Sequence, residues 1–348
     1  MIDLRSDTAS KPTAAMREAI ANADVGDEQL REDPTVNELE RRAAETLGQE
    51  DSVFVPTATM ANEIALRVLG DPGDELIAEE NAHLLIAELG GPAVHAGLMT
   101  RPLPARAGRF TTDQIRAAAR RGDLGHIPTT RIVAIENTHN SSGGRVWPLA
   151  EIAAMAETCR ELELSLHIDG ARLFNAAVAS GEAPAAIAGH GDTVSICFSK
   201  GLGCPLGAIV AGSAERMLRA RRLKHQFGGA MRQAGIVAAA CVYALDHHVE
   251  RLADDHARAR RLAEGLYEAG VPVDLEQVET NFVQVDVGSL GKDVGDAIER
   301  LLGEGIRVSG TALPGRLRAV THLGITDEDI ERSVGGIPRA LEIPARVH

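Results

Sequence analysis

One lysine stands between a β-like apolar run and a loop rich in glycine. The run Val194–Phe198 ends two residues before Lys200, and Gly201 and Gly203 follow it. Lysine is seldom buried unless it is paired or used in a reaction, and glycine lets a backbone or a flat ligand approach closely. We predict a reactive amine at the carboxyl end of a buried strand; a surface lysine in a turn is the alternative.

An aspartate in the same kind of position precedes this lysine. Asp169 directly follows the β-like run Leu164–Ile168, and the chain between it and Lys200 has room for one helix. A lysine amine forms Schiff bases with the aldehyde of pyridoxal phosphate. An ionised Asp169 would keep the pyridine nitrogen of that cofactor protonated, so that the ring accepts electrons. The pair predicts a pyridoxal phosphate site, although Asp169 alone fits a helix cap or turn.

Two further segments offer the other groups that such a site needs. A strand, a turn and a helix start are predicted over Phe54–Asn62, where backbone N–H groups, Ala58 among them, and the Thr59 hydroxyl would bind the phosphate. An ordinary threonine helix cap fits this segment about as well. His83 is a candidate for stacking on the cofactor ring and moving protons, although a single histidine is more often structural.

The order of segments predicts an α/β fold. Short β-like runs alternate with helical patterns, which indicates a mostly parallel sheet with helices on its faces. Ligands of such sheets bind at the carboxyl ends of the strands. The runs are Ser52–Val55, Glu75–Ala78, Arg131–Ile135, Leu164–Ile168, Val194–Phe198 and Ala208–Ala211.

From about Asp246 the sequence changes to a charge-rich helix followed by β-like runs and one further helix. We therefore predict a large domain over residues 1–245, which includes a short N-terminal segment, and a smaller α+β domain over residues 246–348. The segments after the charge-rich helix are Val271–Asp274, Asn281–Val287, the helical Gly291–Gly303 and Arg318–Val320.

Composition excludes several classes of function. The chain has 348 residues and a formal net charge of −14, which argues against nucleic acid or an anionic membrane as a partner. Its longest apolar stretch, Ile236–Leu245, is too short to span a bilayer, and no signal peptide is predicted. The four cysteines have no metal-binding or disulfide spacing, so we expect no metal and a cytoplasmic location.

Taken together, the motifs resemble one enzyme family. The segments IDLRSDTASKPTAAMREA, ENTHNSSGGRVWPL, HIDGARLFNAAVA, SKGLGCPLG, GGAMRQAG and RLRAVTHLGIT occur in this order, and the sequence is similar to the low-specificity L-threonine aldolases. The resemblance implies the aspartate aminotransferase-like fold (pyridoxal phosphate fold type I), with a mostly parallel seven-stranded sheet and a smaller C-terminal α+β domain. It also implies a homotetramer, a dimer of dimers whose active sites are shared between subunits.

For the cofactor, the resemblance assigns a role to each matching residue. Lys200 would carry the cofactor as a Schiff base, and Asp169 would pair with the ring nitrogen. His83 would stack on the ring, and Arg172 would lie near the O3′ atom. Arg232 would reach the phosphate bound to a neighbouring subunit.

For the substrate, the resemblance implies a carboxylate clamp and a second histidine. Arg318 with Ser6 would bind the carboxylate, with Arg172 close by, and Arg316 is the alternative arginine. His126 would lie near the substrate hydroxyl.

Several positions depart from the family pattern. Leu30, Leu85 and Ala87 stand where the family usually has aromatic residues, which predicts a wider pocket. His225, a predicted cofactor-binding residue, stands where the family usually has a lysine, and the neighbouring Lys224 is the alternative basic residue.

The implied reaction is retro-aldol cleavage of a β-hydroxy-α-amino acid to glycine and an aldehyde. The substrate would be L-threonine, L-allo-threonine or a bulkier, phenylserine-type analogue. His83, His126 and an ordered water are the candidates for the base. The alternatives are β-elimination, transaldol chemistry or racemisation, or a lapsed family member acting as a binding protein; the intact lysine, aspartate and arginines argue against the last.

Overall fold

Strands and helices alternate along most of the chain, and the computed structural model describes residues 1–122 and 125–344. Runs rich in Val, Ile and Ala form the central strands, because such side chains suit a sheet that is covered on both faces. The strands are β1 (Ile2–Asp3), β2 (Asp51–Val55), β3 (Glu75–Glu79), β4 (Met99–Leu103), β5 (Thr130–Glu136), β6 (Ser165–Gly170), β7 (Thr193–Cys197), β8 (Ala208–Gly212), β9 (Phe282–Asp286), β10 (Ile306–Arg307), β11 (Ser309–Gly310) and β12 (Arg316–Val320).

Many helices begin after a Ser, Thr or Asp whose side chain accepts a backbone N–H of the first turn, as Thr57 does for α3. Within the described ranges, no helix is both long enough and apolar enough to cross a membrane. The helices are α1 (Ala14–Ala21), α2 (Pro34–Leu47), α3 (Ala58–Leu69), α4 (His83–Ile86), α5 (Gly91–Val94), α6 (Thr112–Ala118), α7 (Leu149–Glu161), α8 (Leu173–Ser180), α9 (Pro184–Ala188), α10 (Ala214–Gln226), α11 (Gly235–His247), α12 (Leu252–Glu268), α13 (Val294–Gly303) and α14 (Asp327–Ala340).

The large sheet has seven strands in the described part of the chain, in the order β2-β8-β7-β6-β5-β3-β4. Strands β4, β3, β5, β6 and β7 are parallel, and β8 runs antiparallel to both of its neighbours. Strand β2 therefore points the same way as the parallel group. The carboxyl ends of β2, β3, β5, β6 and β7 all lie at one edge, where ligands of such sheets bind. The predicted mostly parallel seven-stranded sheet is confirmed.

The C-terminal part has its own antiparallel sheet, in the order β11-β12-β9. The N-terminal strand β1 pairs in parallel with β10, and Ile2 and Leu4 pack in one hydrophobic cluster with Leu262 and Ile330. The first residues of the chain are therefore held by the C-terminal part. The division at residues 245 and 246 stays a prediction.

Two segments differ from the sequence-based expectation. Val271–Asp274 forms no strand, although Val271 and Val273 are buried; Pro272 has no N–H to donate to a ladder. Strand β4 was not predicted, because it contains Pro102 and exposes most of its side chains. Proline is tolerated there since β4 lies at the edge of the sheet.

Candidate active site

The carboxyl edge of the large sheet gathers three of the predicted residues. Asp169 is the penultimate residue of β6, Lys200 follows β7, and His83 begins α4 just after β3. One ring nitrogen of His83 and one carboxylate oxygen each of Glu88 and Asp169 lie within 4.8 Å of one another. The Lys200 charge is close enough to act on His83. A basic amine, a carboxylate and an imidazole therefore share one site.

Asp169 is a buried carboxylate with no ion-pair partner among the described residues. Its Oδ2 accepts a hydrogen bond from Asn62 Nδ2 at 2.9 Å, and its Oδ1 accepts one from the Ala171 N–H at 3.1 Å. The side chain is 2% exposed. Two neutral donors fix its orientation and leave its charge unbalanced, so it can pair with a cationic group of a ligand.

His83 is fixed at both its backbone and its ring. Its N–H donates to Glu136 Oε2 at 2.7 Å, and its Nδ1 lies 2.8 Å from Glu88 Oε1. The hydrogen bond with Glu88 raises the pKa of His83, with help from the charge of Asp169 and against the effect of burial. Because a carboxylate only accepts hydrogen bonds, Nδ1 carries the proton and Nε2 is left for other partners.

Asn62 connects the carboxylates of this site. Its Nδ2 donates to both Asp169 and Glu88, and its Oδ1 accepts from Ser195 Oγ at 2.6 Å and His167 Nε2 at 3.2 Å. Burial lowers the pKa of His167 to about 4, so this ring is neutral at ordinary pH. A wholly satisfied amide therefore sets the spacing of two buried carboxylates.

Arg172 and Asp7 form a buried, bidentate ion pair. Arg172 Nε and Nη2 donate to Asp7 Oδ2 and Oδ1 at 2.7 and 2.6 Å, and the guanidinium lies 4.8 Å from the centre of the Phe282 ring. Burial would raise the pKa of Asp7, but the charge and hydrogen bonds of Arg172 outweigh it and hold that pKa at about 2. One edge of Arg172 is therefore occupied, and only the other edge can reach a ligand.

Arg318 is held by neutral acceptors only. Its Nε, Nη1 and Nη2 donate to Ser309 Oγ at 3.2 Å, Asn140 Oδ1 at 2.9 Å and the Arg5 carbonyl at 3.1 Å. No carboxylate forms an ion pair with it in the described part of the chain. Burial, together with the nearby Arg172 charge, lowers its pKa. An oriented guanidinium without a counter-ion can bind the carboxylate of a ligand.

The other two residues of the predicted clamp are engaged elsewhere. Arg316, the alternative arginine, lies 3.7 Å from the Asp286 carboxylate, which favours Arg318 for the ligand. Ser6 Oγ accepts the Thr8 N–H at 3.2 Å and lies 3.4 Å from Asp7 Oδ1. Ser6 therefore shapes the turn that carries Asp7.

The start of α3 offers backbone donors at the same edge. Thr57 Oγ1 accepts the Met60 N–H at 3.2 Å, while the N–H groups of Ala58 and Thr59 have no acceptor among the described residues. Free first-turn N–H groups of a helix bind phosphate. This geometry is what the predicted phosphate site requires.

Comparison with proteins of similar sequence shows the family to which the chain belongs. The sequence model of the β-eliminating lyase family matches residues 3–288. The low-specificity L-threonine aldolase of Escherichia coli (strain K12) is 40% identical over 331 residues, which cover 95% of this chain and 96% of that protein. The chain belongs to the low-specificity L-threonine aldolase family.

Solved structures confirm the fold predicted for this threonine aldolase family member. A threonine aldolase of Leishmania major superposes with a TM-score of 0.84 at 21% identity, covering 98% of this chain and 100% of the other. A Thermus thermophilus aspartate aminotransferase superposes with a TM-score of 0.73 at 18% identity, covering 98% and 91%. The aspartate aminotransferase-like fold is thereby confirmed.

His126 is not brought to the site within one chain of this family member. It is exposed and lies four residues before β5 begins. That is the amino end of the strand, at the sheet edge opposite Asp169. A role for His126 near a substrate therefore requires another subunit.

The cofactor-binding residues predicted in α10 and in the loop after it form no hydrogen bond with Lys200 or Asp169 across residues 1–122 and 125–344. His225 is exposed, and Arg232 Nη1 donates to Asp27 at 2.9 Å. Lys224, the possible replacement for His225, is buried in an ion pair with Glu28. In the described ranges, none of the three bonds to the site formed at the carboxyl edge.

Sequence reasoning missed three residues that organise this threonine aldolase site. Asn62 stands three residues after Thr59, so the helical period alone places both on one face of α3. Glu88 and Asp7 carry no such local signal. Asp7 is linked to Arg172 only through the folded chain.

We expect Asp7→Asn to lower the free energy of unfolding by about 3 to 5 kcal/mol, because it leaves the buried Arg172 charge unpaired. Urea denaturation followed by circular dichroism measures this change. The matched control, Glu45→Gln, breaks the exposed pair with Arg41 and should change stability by less than about 1 kcal/mol. Equal losses in the two variants would contradict the assignment.

Proposed function

We propose that this protein is a pyridoxal phosphate-dependent aldolase that cleaves a β-hydroxy-α-amino acid to glycine and an aldehyde. The observation that carries the proposal is a pair of charged groups that lack ion-pair partners among the described residues. Within those described residues, the buried Asp169 carboxyl group has no cationic partner, and the oriented Arg318 guanidinium has no carboxylate partner. A cationic cofactor ring would pair with Asp169, and a substrate carboxylate would pair with Arg318.

The described residues fit the cofactor. Asp169 would bind the protonated ring nitrogen, Lys200 would hold the aldehyde carbon, and the N–H groups of Ala58 and Thr59 would bind the phosphate. The His83 ring would cover one face of the pyridine. When bound, pyridoxal phosphate supplies an aldehyde that condenses with amines and a ring that accepts an electron pair.

The arginines orient the substrate. Arg318 presents a fixed guanidinium, and Arg172 has one free edge beside it, since both contact the Phe282 ring, at 5.6 and 4.8 Å. Two oriented donors hold a carboxylate in one plane. This fixes the rotation about Cα and so aligns the bond that breaks.

A base must remove the proton of the β-hydroxyl. His83 Nε2 is the base available within one chain, His126 is available only from a neighbouring subunit, and an ordered water is the third candidate. In His83 the proton on Nδ1 is shared with Glu88, which orients Nε2. We propose a homotetramer, a dimer of dimers in the cytoplasm, in which His126 and Arg232 complete a neighbour's site.

Three positions where aromatic residues are usual in the family suggest which substrate side chain the site accepts. Leu30 is 67% exposed, Ala87 is exposed, and Leu85 is partly buried. None carries a ring or a hydroxyl. We propose that the pocket prefers a bulky β-substituent of the phenylserine type over the methyl group of threonine.

To test the activity, the purified protein is incubated with pyridoxal phosphate and L-threonine, L-allo-threonine or β-phenylserine, and glycine release is measured. We expect the highest kcat/KM for β-phenylserine, and no release with Lys200→Ala because the amine is lost. A keto acid and ammonia as products would indicate β-elimination. Cofactor binding without any turnover would indicate a binding protein.

Arg318→Lys should raise the KM of the preferred substrate about 10- to 100-fold, because a lysine ammonium cannot form the two-pronged contact. The matched control is Arg316→Lys, whose guanidinium faces Asp286. Steady-state kinetics compare the two variants. A larger effect at Arg316 would assign the carboxylate to that residue instead.

Shared sites predict complementation between inactive variants. Lys200→Ala and Arg232→Ala subunits, unfolded and refolded together, should form mixed oligomers in which some sites have both residues. Glycine release by the mixture should exceed that of either variant alone. Activity no higher than the average of the two would show that each site is built from one chain.

A further inference from the structure

Another buried carboxyl group, that of Glu63, lies next to Glu88 and takes no part in the chemistry described above. It follows Asn62 in α3, is 1% exposed, and its two carboxyl oxygens have no hydrogen-bond partner among the described donors. Its carboxyl group packs against Gly91, where an added Cβ would lie 2.1 Å from Glu63 Oε1. The group is therefore enclosed rather than solvated.

Glu63 faces Glu88, the residue that contacts His83. Glu88 Oε1 accepts from Asn62 Nδ2 at 3.0 Å and lies 2.8 Å from His83 Nδ1. The other oxygen, Oε2, has no hydrogen-bond partner among the described residues, and the carboxyl groups of Glu63 and Glu88 are close enough to interact directly. Two ionised carboxylates cannot lie side by side in a buried site, so the pair holds one proton.

The contacts decide where that proton resides. Glu88 accepts hydrogen bonds from two neighbouring donors, Asn62 and His83, whereas Glu63 accepts none from the described residues. Burial and the Glu88 charge raise the pKa of Glu63 to about 9. The proton therefore stays on Glu63, which can donate it to the free oxygen of Glu88.

We propose that Glu63 is a positioning residue for His83: its neutral carboxyl group donates a hydrogen bond to Glu88, which keeps Glu88 ionised and aligned with His83 Nδ1. The result is a line of hydrogen bonds from Glu63 through Glu88 to the imidazole. It fixes the ring with Nε2 free. The effect on catalysis rests on the proposed function, whereas the protonation of Glu63 does not.

The charges around this line are few. Glu88 is the charged group that faces Glu63, and His83 is also within the fields of Asp169 and Lys200. Glu136 accepts the backbone N–H of His83 and not a ring nitrogen. Glu63 is neutral, so replacing it with another neutral side chain changes the hydrogen bonding of Glu88 without changing the net charge of this set at neutral pH.

Infrared spectroscopy of the full-length protein, as purified, tests the protonation. At neutral pH we expect the carbonyl band of a neutral carboxyl group, which is lost as the pH rises through about 9 and is absent in Glu63→Gln. The control Glu264→Gln, at an exposed position, should keep the band. The proposal is wrong if the band is missing, if it persists in Glu63→Gln, or if it appears only after sodium and potassium ions are removed, since a cation would then hold the pair.

Nitrogen NMR of the imidazoles, assigned with His83→Asn, tests the positioning. In Glu63→Gln the amide still donates to Glu88, so the titration of His83 should match the wild type. In Glu63→Leu the donor is lost, Glu88 bonds more strongly to the ring, and the pKa of His83 should rise. Identical titrations in all three proteins, or equal shifts in both variants, would overturn the proposal.

Kinetics provide the functional readout. For Glu63→Leu we expect kcat to fall about tenfold or more with KM unchanged, because the ring is less well placed while the carboxylate clamp is intact. Glu63→Gln should stay within about twofold of the wild type. If the protein cleaves no β-hydroxy amino acid, the proposed function fails while infrared and NMR still decide the role of Glu63. Normal kcat in Glu63→Leu would contradict that role.

Discussion

The site depends on the buried ion pair between Asp7 and Arg172. A guanidinium in this position needs a counter-ion, because an unpaired charge inside a protein is strongly destabilising. The counter-ion comes from the N-terminal segment, which β1 anchors to β10. The same pair places Arg172 against Phe282, whose ring also contacts Arg318. One interaction thus connects the N-terminal segment, the large sheet and the C-terminal sheet at the candidate site.

Charge balance explains which charged side chains of the site are available to a ligand. Asp7 neutralises Arg172, so the positive charge left for a ligand is that of Arg318. Neutral donors hold Asp169, so its negative charge is left for a cationic ring. Among the described residues, the structural charges are balanced internally, whereas Asp169 and Arg318 have no ion-pair partner. A protonated cofactor ring and a substrate carboxylate, as proposed above, would supply those two partners.

Features that depend on short segments of sequence could be predicted, whereas contacts between residues far apart in the chain could not. Strand ends follow from short apolar runs, so Lys200 and Asp169 could be placed at the sheet edge before the fold was known. The segment Val271–Asp274 looked like a strand and is not one, because backbone pairing depends on a neighbour. Asp7 and Glu63 gave no signal, since their partners are fixed only by folding. The assignment of His126 stays a prediction that a single chain cannot satisfy.

The parallel pairing of β1 with β10 also affects biosynthesis. Residues 2–4 find their partners more than three hundred positions later in the chain, where Leu4 accepts a hydrogen bond from the Val320 N–H. Contacts of such sequence separation form slowly, because a long loop must close first. The nascent large sheet can assemble early, but Arg172 receives its counter-ion in its final place only after the C-terminal strands have been translated.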